Sequence, residues 1–213
     1  MGGYVMSWSG GKDSVMALHR AAEAGLRVSS LLTMTSPDGY SMSHRIPRAL
    51  LALQAEALGL PLVEGTADWD SYEDEFKRAL AGLRRVGIQG CIFGDIDLEE
   101  HLSWCRRVCR EVGLEAIHPL WGEDERDLLD ELLQLGYRAV IVVVDLRKLG
   151  AEWLGRNLDR RAVDELLNLG ISPCGETGEY HTLVVDGPVF RKEVSLRRRR
   201  VLRRGHHAFL DLT

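Results

Sequence analysis

Residues Ser9-Gly10-Gly11-Lys12-Asp13-Ser14 place two glycines, a lysine and two hydroxyls in six consecutive positions, between an apolar run and a helical pattern. These are groups for holding an anion. Glycines let the backbone approach closely, and a helix starting near Asp13 offers free N–H groups and the positive end of its dipole. Lys12 adds a full charge, and Ser9 and Ser14 add hydroxyl donors. Asp13 repels phosphate unless it caps the helix or holds a cation between itself and the anion. Polyphosphate with magnesium satisfies all six residues. The stretch is not the ordinary P-loop, which has glycine five positions before the Gly-Lys pair and Ser or Thr after the lysine. Those positions hold Met6 and Asp13 here.

Other chemistry-bearing residues are more ambiguous. Asp95, in "FGDIDLEEH", follows a β-rich run, where ligands gather in open α/β sheets. His101, Cys105 and Cys109 are spaced i, i+4, i+8 and share one helical face. That spacing suits a metal or persulfide site. With no C-x-x-C pair and no fourth ligand, small thiols packed inward are the expectation.

These groups need a frame. Six times a helical pattern ends in glycine and then an apolar residue, at Gly25, Gly59, Gly87, Gly113, Gly136 and Gly170. Glycine past a helix end takes the left-handed conformation cheaply, and the next side chain packs back on the last turn. After most of these stops comes a short apolar run: 28–34, 60–66, 90–96 and 139–145. Helices alternating with such strands predict an α/β fold, a doubly wound, mostly parallel sheet covered on both faces. Ser9–Ser14, Met34–Asp38, Gly65–Asp68 and Gly94–Asp97 then share the rim beyond the strands' carboxyl ends. A turn near "HPLWGED" (118–124) suggests a boundary. Residues 1–120 form the nucleotide-binding domain in this expectation, and 121–213 a smaller α+β domain ending in a basic hairpin.

Composition excludes some classes. The longest apolar run, 139–144, is far too short to span a membrane, and no signal peptide is evident. Four irregularly spaced cysteines do not make a disulfide framework, so a reduced, cytoplasmic protein is expected. Residues 191–204 hold eight basic residues and one acid, leaving 19 basic against 31 acidic residues elsewhere. A nucleic-acid contact is one use of such a strip, but an acidic body binds polyanions poorly, and arginines on an edge hairpin also block sheet-to-sheet association. A solvated edge is the expectation, and nucleic acid is not an expected partner. A homodimer stays open.

"SGGKDS" resembles the PP-loop of the ATP pyrophosphatases, which implies the HUP/PP-loop type of α/β fold. Two longer stretches, "QAEALGLPLVEG" (54–65) and "PCGETGEYHTLVVDGPVF" (173–190), together with "WLGRNLD" (153–159), resemble the diphthine–ammonia ligase family. The resemblance runs from about Val5 to Phe190. It implies cleavage of ATP between the α and β phosphates, with ATP and Mg2+ bound, a carboxylate-bearing acceptor adenylated, and ammonia displacing AMP to leave an amide. It implies that Ser9, Gly10, Gly11, Lys12, Asp13 and Ser14 hold the pyrophosphate, with Asp13 near magnesium and backbone at Met34 near adenine. Cys174, Gly175, Glu176, Gly178, Glu179 and His181 fall on the substrate side. Lys12, Asp95, Glu176 and Glu179 are the expected catalytic residues. Glu176 and Glu179, three apart in a glycine-containing loop, are expected to face one cavity, to bind magnesium, deprotonate ammonium or orient the acceptor. Cys174 is expected to pack rather than react. The alternatives are a PP-loop enzyme modifying tRNA and a nucleotide-binding regulator without turnover.

Overall fold

The computed structural model describes residues 2–42 and 44–212. Five strands form one parallel sheet: β1 (Gly3–Ser7), β2 (Val28–Thr35), β3 (Leu62–Thr66), β4 (Ile88–Ile92) and β5 (Glu115–Ile117), ordered β3-β2-β1-β4-β5. Helices α1 (Lys12–Glu23), α2 (Arg48–Leu58), α3 (Tyr72–Arg85) and α4 (Glu99–Val112) connect them. Successive strand residues point to opposite faces. Met6, Leu31 and Ile92 accordingly pack on the α1–α2 side, while Val5, Leu32 and Cys91 pack with Phe76, Leu80 and Val108 of α3 and α4. All six helix-stopping glycines have φ between 69° and 96°. At Leu26, Leu60, Leu114, Tyr137 and Ile171 the N–H donates to the carbonyl five residues back, which closes the turn.

The remaining elements are α5 (Glu125–Gln134), β6 (Arg138–Asp145), a 3-10 turn (Ala151–Trp153), α6 (Arg160–Asn168), β7 (Tyr180–Asp186), β8 (Arg198–Arg204) and β9 (His207–Leu212). Their four strands form an antiparallel sheet, β7-β6-β9-β8. One expectation is corrected here. The run 139–145, counted among the parallel strands, is the inner strand β6 of this second sheet. Apart from Arg138 every residue of β6 is buried, so it reads as a continuous apolar run whichever way its neighbours point. The expected basic hairpin is β8–β9, with β8 on the sheet edge. The side chains of Arg198 and Arg199 in the basic strip lie outside the described residues.

One core joins both sheets. Val15, Met16 and Leu18 of α1 and Leu51 of α2 pack in a cluster with Leu129 of α5, Ile141 of β6 and Leu183 of β7. The outer edge of β7 docks on the loop after β1. The Lys12 N–H donates to Thr182 Oγ1 at 3.0 Å, and the Val184 N–H donates to the Gly10 carbonyl at 3.0 Å. Residues 170 and 174 apart in sequence thus share one hydrogen-bonded seam. None of the helices among the described residues is long and apolar enough to cross a membrane.

Candidate active site

A cavity of about 460 Å³ opens at the carboxyl ends of β1 and β4, where the strand order reverses. Ser9, Lys12, Asp13 and Ser14 line it from the β1–α1 loop, Met34 from β2, Asp95 after β4, and Cys174, Gly175, Glu176 and His181 from the segment entering β7. Gly10 and Gly11 are not on the wall. They shape it from behind. Gly10 has φ +81°, and a Cβ there would stand 2.6 Å from Gln54 Oε1. Gly11 caps α1 without any side-chain acceptor of its own, and its N–H donates to Ser9 Oγ at 3.2 Å. The Ser14 hydroxyl donates to the Gly11 carbonyl at 2.9 Å. Gly94 lets β4 approach α1, since a Cβ at that position would lie 2.9 Å from the Asp13 carbonyl.

Lys12 is 4% exposed. Burial pulls its pKa down, but Asp13, 2.8 Å away, overturns this and holds the ammonium charged. Burial raises the Asp13 carboxyl against the attraction of Lys12. Lys12 Nζ also donates to the Cys174 carbonyl, and it lies 5.5 Å from the Tyr180 ring centroid. The one cation of the loop is therefore aimed by the C-terminal half of the chain. Lys12 and Ser14 on the first turn of α1, whose N-cap Gly11 brings no side-chain acceptor, and Ser9 just before it are a donor set for a polyphosphate, so the residues present fit ATP.

The 172–180 turn is built around Glu125. Its Oε2 accepts from the Cys174 N–H at 2.7 Å and from Ser172 Oγ at 2.5 Å. Cys174 is 2% exposed, and burial pushes its thiol up, which matches a packing role and opposes a thiolate nucleophile. Glu176 lines the cavity; burial, then Asp13, against the pull of Lys12, pushes its carboxyl up to about 8. Glu179 does not line it. Its side chain is buried, with Oε1 accepting from Thr177 Oγ1 at 2.5 Å, and its carbonyl pairs with the Asp145 N–H. The expected pair of cavity carboxylates is therefore split, because Gly178, at φ +85°, turns the chain between them.

At the other wall His181 stacks on His44, with centroids 4.4 Å apart. Burial drives both imidazoles neutral, His44 down to about 4 and His181 well below the usual histidine range. Of the expected rim, the 65–68 segment stays off the cavity wall, where Trp69 stands instead, with Tyr72 and Trp104 nearby. His101, Cys105 and Cys109 do not form one group. Cys109 is fully buried in the core, whereas exposed His101 and buried Cys105 both approach Asp95, at 3.3 Å and 3.6 Å.

Residues 2–116 match the family model described as the diphthamide synthase N-terminal domain, and residues 124–212 match that of its C-terminal domain. The chain belongs to the diphthamide synthase family. Among curated relatives, the diphthine–ammonia ligase of Schizosaccharomyces pombe is 29% identical over 88% of this chain, which covers 35% of that protein. The diphthine–ammonia ligases of Bos taurus and Homo sapiens are 27% and 26% identical over 87% of the chain, which covers 79% of each. The chain thus spans about a third of the yeast relative and about four fifths of the mammalian ones.

Sequence reasoning missed Gln54, Glu125, Thr182 and His44. Gln54 opens a stretch already singled out by resemblance, yet its role is tertiary. Fully buried, it accepts from Trp8 Nε1 at 3.0 Å and donates to the carbonyls of Gly10 at 3.0 Å and Val184 at 2.7 Å. A polar residue within the apolar pattern of α2 was the signal available.

Proposed function

We propose that this chain is an ATP-dependent, AMP-forming carboxylate–ammonia ligase of the diphthine–ammonia ligase type. The carrying observation is the meeting, at one cavity, of the Ser9–Ser14 loop with the 173–182 segment, through Lys12 to the Cys174 carbonyl and Thr182. The names of the curated relatives support the same reaction.

In this scheme Ser9, Lys12, Ser14 and the first turn of α1 hold the β and γ phosphates, leaving the α-phosphorus open. Asp13 would hold Mg2+, which offsets polyphosphate charge. An acceptor carboxylate oxygen attacks the α-phosphorus, the bond to the bridging oxygen breaks, and pyrophosphate leaves. Ammonia then attacks the acyl carbon and AMP departs. Glu176 is protonated near neutrality and changes charge close to the range where ammonium does, so it is the residue to exchange that proton. Cys174, Gly175 and Gly178 shape the acceptor side, and His181 with His44 gives it an uncharged wall. Positioning and charge neutralisation carry the chemistry, and no protein nucleophile is needed. The acceptor class is a diphthine-type carboxylate. Residues 1–120 serve the nucleotide and 121–213 the acceptor, in a reduced, cytoplasmic setting.

The test is pyrophosphate release from ATP by wild type and Lys12→Ala, with ammonium and fractionated cell extract as acceptor source. Release that requires both Lys12 and one extract fraction is expected. ATP binding without pyrophosphate in any fraction would overturn the ligase reading in favour of a nucleotide-binding regulator.

A further inference from the structure

One cluster beside the cavity includes Asp95, expected among the catalytic residues but given no step in the ligase scheme above. Asp95 follows β4, Cys105 lies on α4 and His118 follows β5, and one donor atom from each lies within 4.8 Å of the others. Cys105 Sγ is 3.6 Å from Asp95 Oδ2, and His118 Nε2 is 3.9 Å from the same oxygen. The His118 side chain is 5% exposed, and its Nε2 has no hydrogen-bond partner among the described residues. The ring is held in that direction by stacking on Phe93, with centroids 5.3 Å apart, and by an edge contact to Trp121. Leaving such a nitrogen buried and unpaired is unfavourable, so the packing holds it against a penalty that a bound ion would remove.

The spacing has the dimensions of a coordination shell. A tetrahedral ion about 2.0–2.3 Å from oxygen, nitrogen and sulfur donors sets them roughly 3.4–3.6 Å apart. The two edges at Asp95 are already close to this. The Cys105–His118 edge, within the 4.8 Å limit, needs at most about 1.3 Å of closure. The mixed donor set selects a borderline ion such as Zn2+ and disfavours Mg2+, which prefers oxygen alone. His101 Nδ1, 3.3 Å from Asp95 Oδ1, is placed to orient the carboxylate from outside. Asp95 and Cys105 both line the cavity, so a fourth position faces into it.

We infer that Asp95, Cys105 and His118 form a three-ligand site for a zinc-type divalent ion on the wall of the nucleotide cavity. Binding forms the metal–sulfur bond, and the Cys105 proton, now directed at Asp95, leaves to solvent. The site is separate from any magnesium at Asp13 and does not depend on the ligase reading.

The experiment titrates the chelator-treated full chain with Co2+. One bound equivalent is expected, with tetrahedral ligand-field bands, a thiolate-to-cobalt charge-transfer band in the near ultraviolet, and displacement of both by Zn2+. Cys105→Ser is expected to lose the charge-transfer band. His118→Asn should weaken Co2+ binding by at least ~10-fold. Cys109→Ser, on the same helix, should keep the whole spectrum. Wild type that takes up no stoichiometric Co2+, or a charge-transfer band that survives in Cys105→Ser, overturns the site. The wild-type titration decides by itself if a variant fails to fold.

Discussion

At Glu176 the protein keeps a carboxyl from ionising beside the very lysine that would favour its charge. Burial is the largest cause, and Asp13, Asp97 and Glu125 add to it. The folded value, about 8, exceeds the unfolded 4.5, so the folded chain holds an extra proton between them. Stability contributed by this group is therefore full below the lower value and falls as pH rises through the window. Thermal melts of wild type and Glu176→Gln are expected to coincide near about pH 4, to separate progressively through the window and to be fully apart by about pH 8, the glutamine variant being the more stable. A variant no more stable than wild type at high pH would refute the burial account. The same substitution should lower amide formation by about 10²-fold, the usual scale for losing a proton-transfer group. Gain in stability with loss of turnover marks a residue held in an unfavourable state for use.

At the scale of elements, the nucleotide loop is held by its neighbours more than by itself. Gln54 on α2 satisfies Trp8, Gly10 and Val184 together, so Gln54→Ala removes three buried hydrogen bonds, although the Gly10 carbonyl keeps the one from the Val184 N–H. Each costs about 1–3 kcal/mol, less where water enters. Denaturant unfolding is expected to show a loss on the order of 3 kcal/mol, with weaker ATP binding. An unchanged midpoint would mean the tie is dispensable. Gly94→Ala tests the close approach of β4 to α1. The added methyl meets backbone at 2.9 Å, so the helix start must move. Overpacking of this kind costs about 1–3 kcal/mol, and nucleotide affinity measured by calorimetry should fall with it.

For the molecule as a whole, charge divides the surface. The body is acidic, while β8 presents arginines on the open edge of the antiparallel sheet, with Arg200 paired to Asp211 and Arg203 and Arg204 exposed. Edge charge opposes strand-to-strand association. Replacing Arg200, Arg203 and Arg204 by serine is expected to leave pyrophosphate release within about twofold while raising self-association in light scattering. Loss of release together with loss of salt-sensitive tRNA binding would instead point to an RNA substrate.

Much of this was legible in the chain itself. The six glycine stops, the short apolar strands and the Ser9–Ser14 loop are local signals, since backbone conformation and helix ends are set by neighbours within a few residues. They fixed the α/β class and the rim where a nucleotide would bind, and the 173–190 stretch carried the family. Tertiary structure alone decided the rest. That β6 lies in an antiparallel sheet, that Gln54 and Thr182 tie the loop, and that Glu176 enters the cavity while Glu179 turns away all depend on contacts between residues far apart in sequence. The same holds for Asp95, Cys105 and His118, which come from two loops and a helix. Spacing along one helix pointed to Cys109 and His101, because periodicity records which residues share a face and not what packs against it.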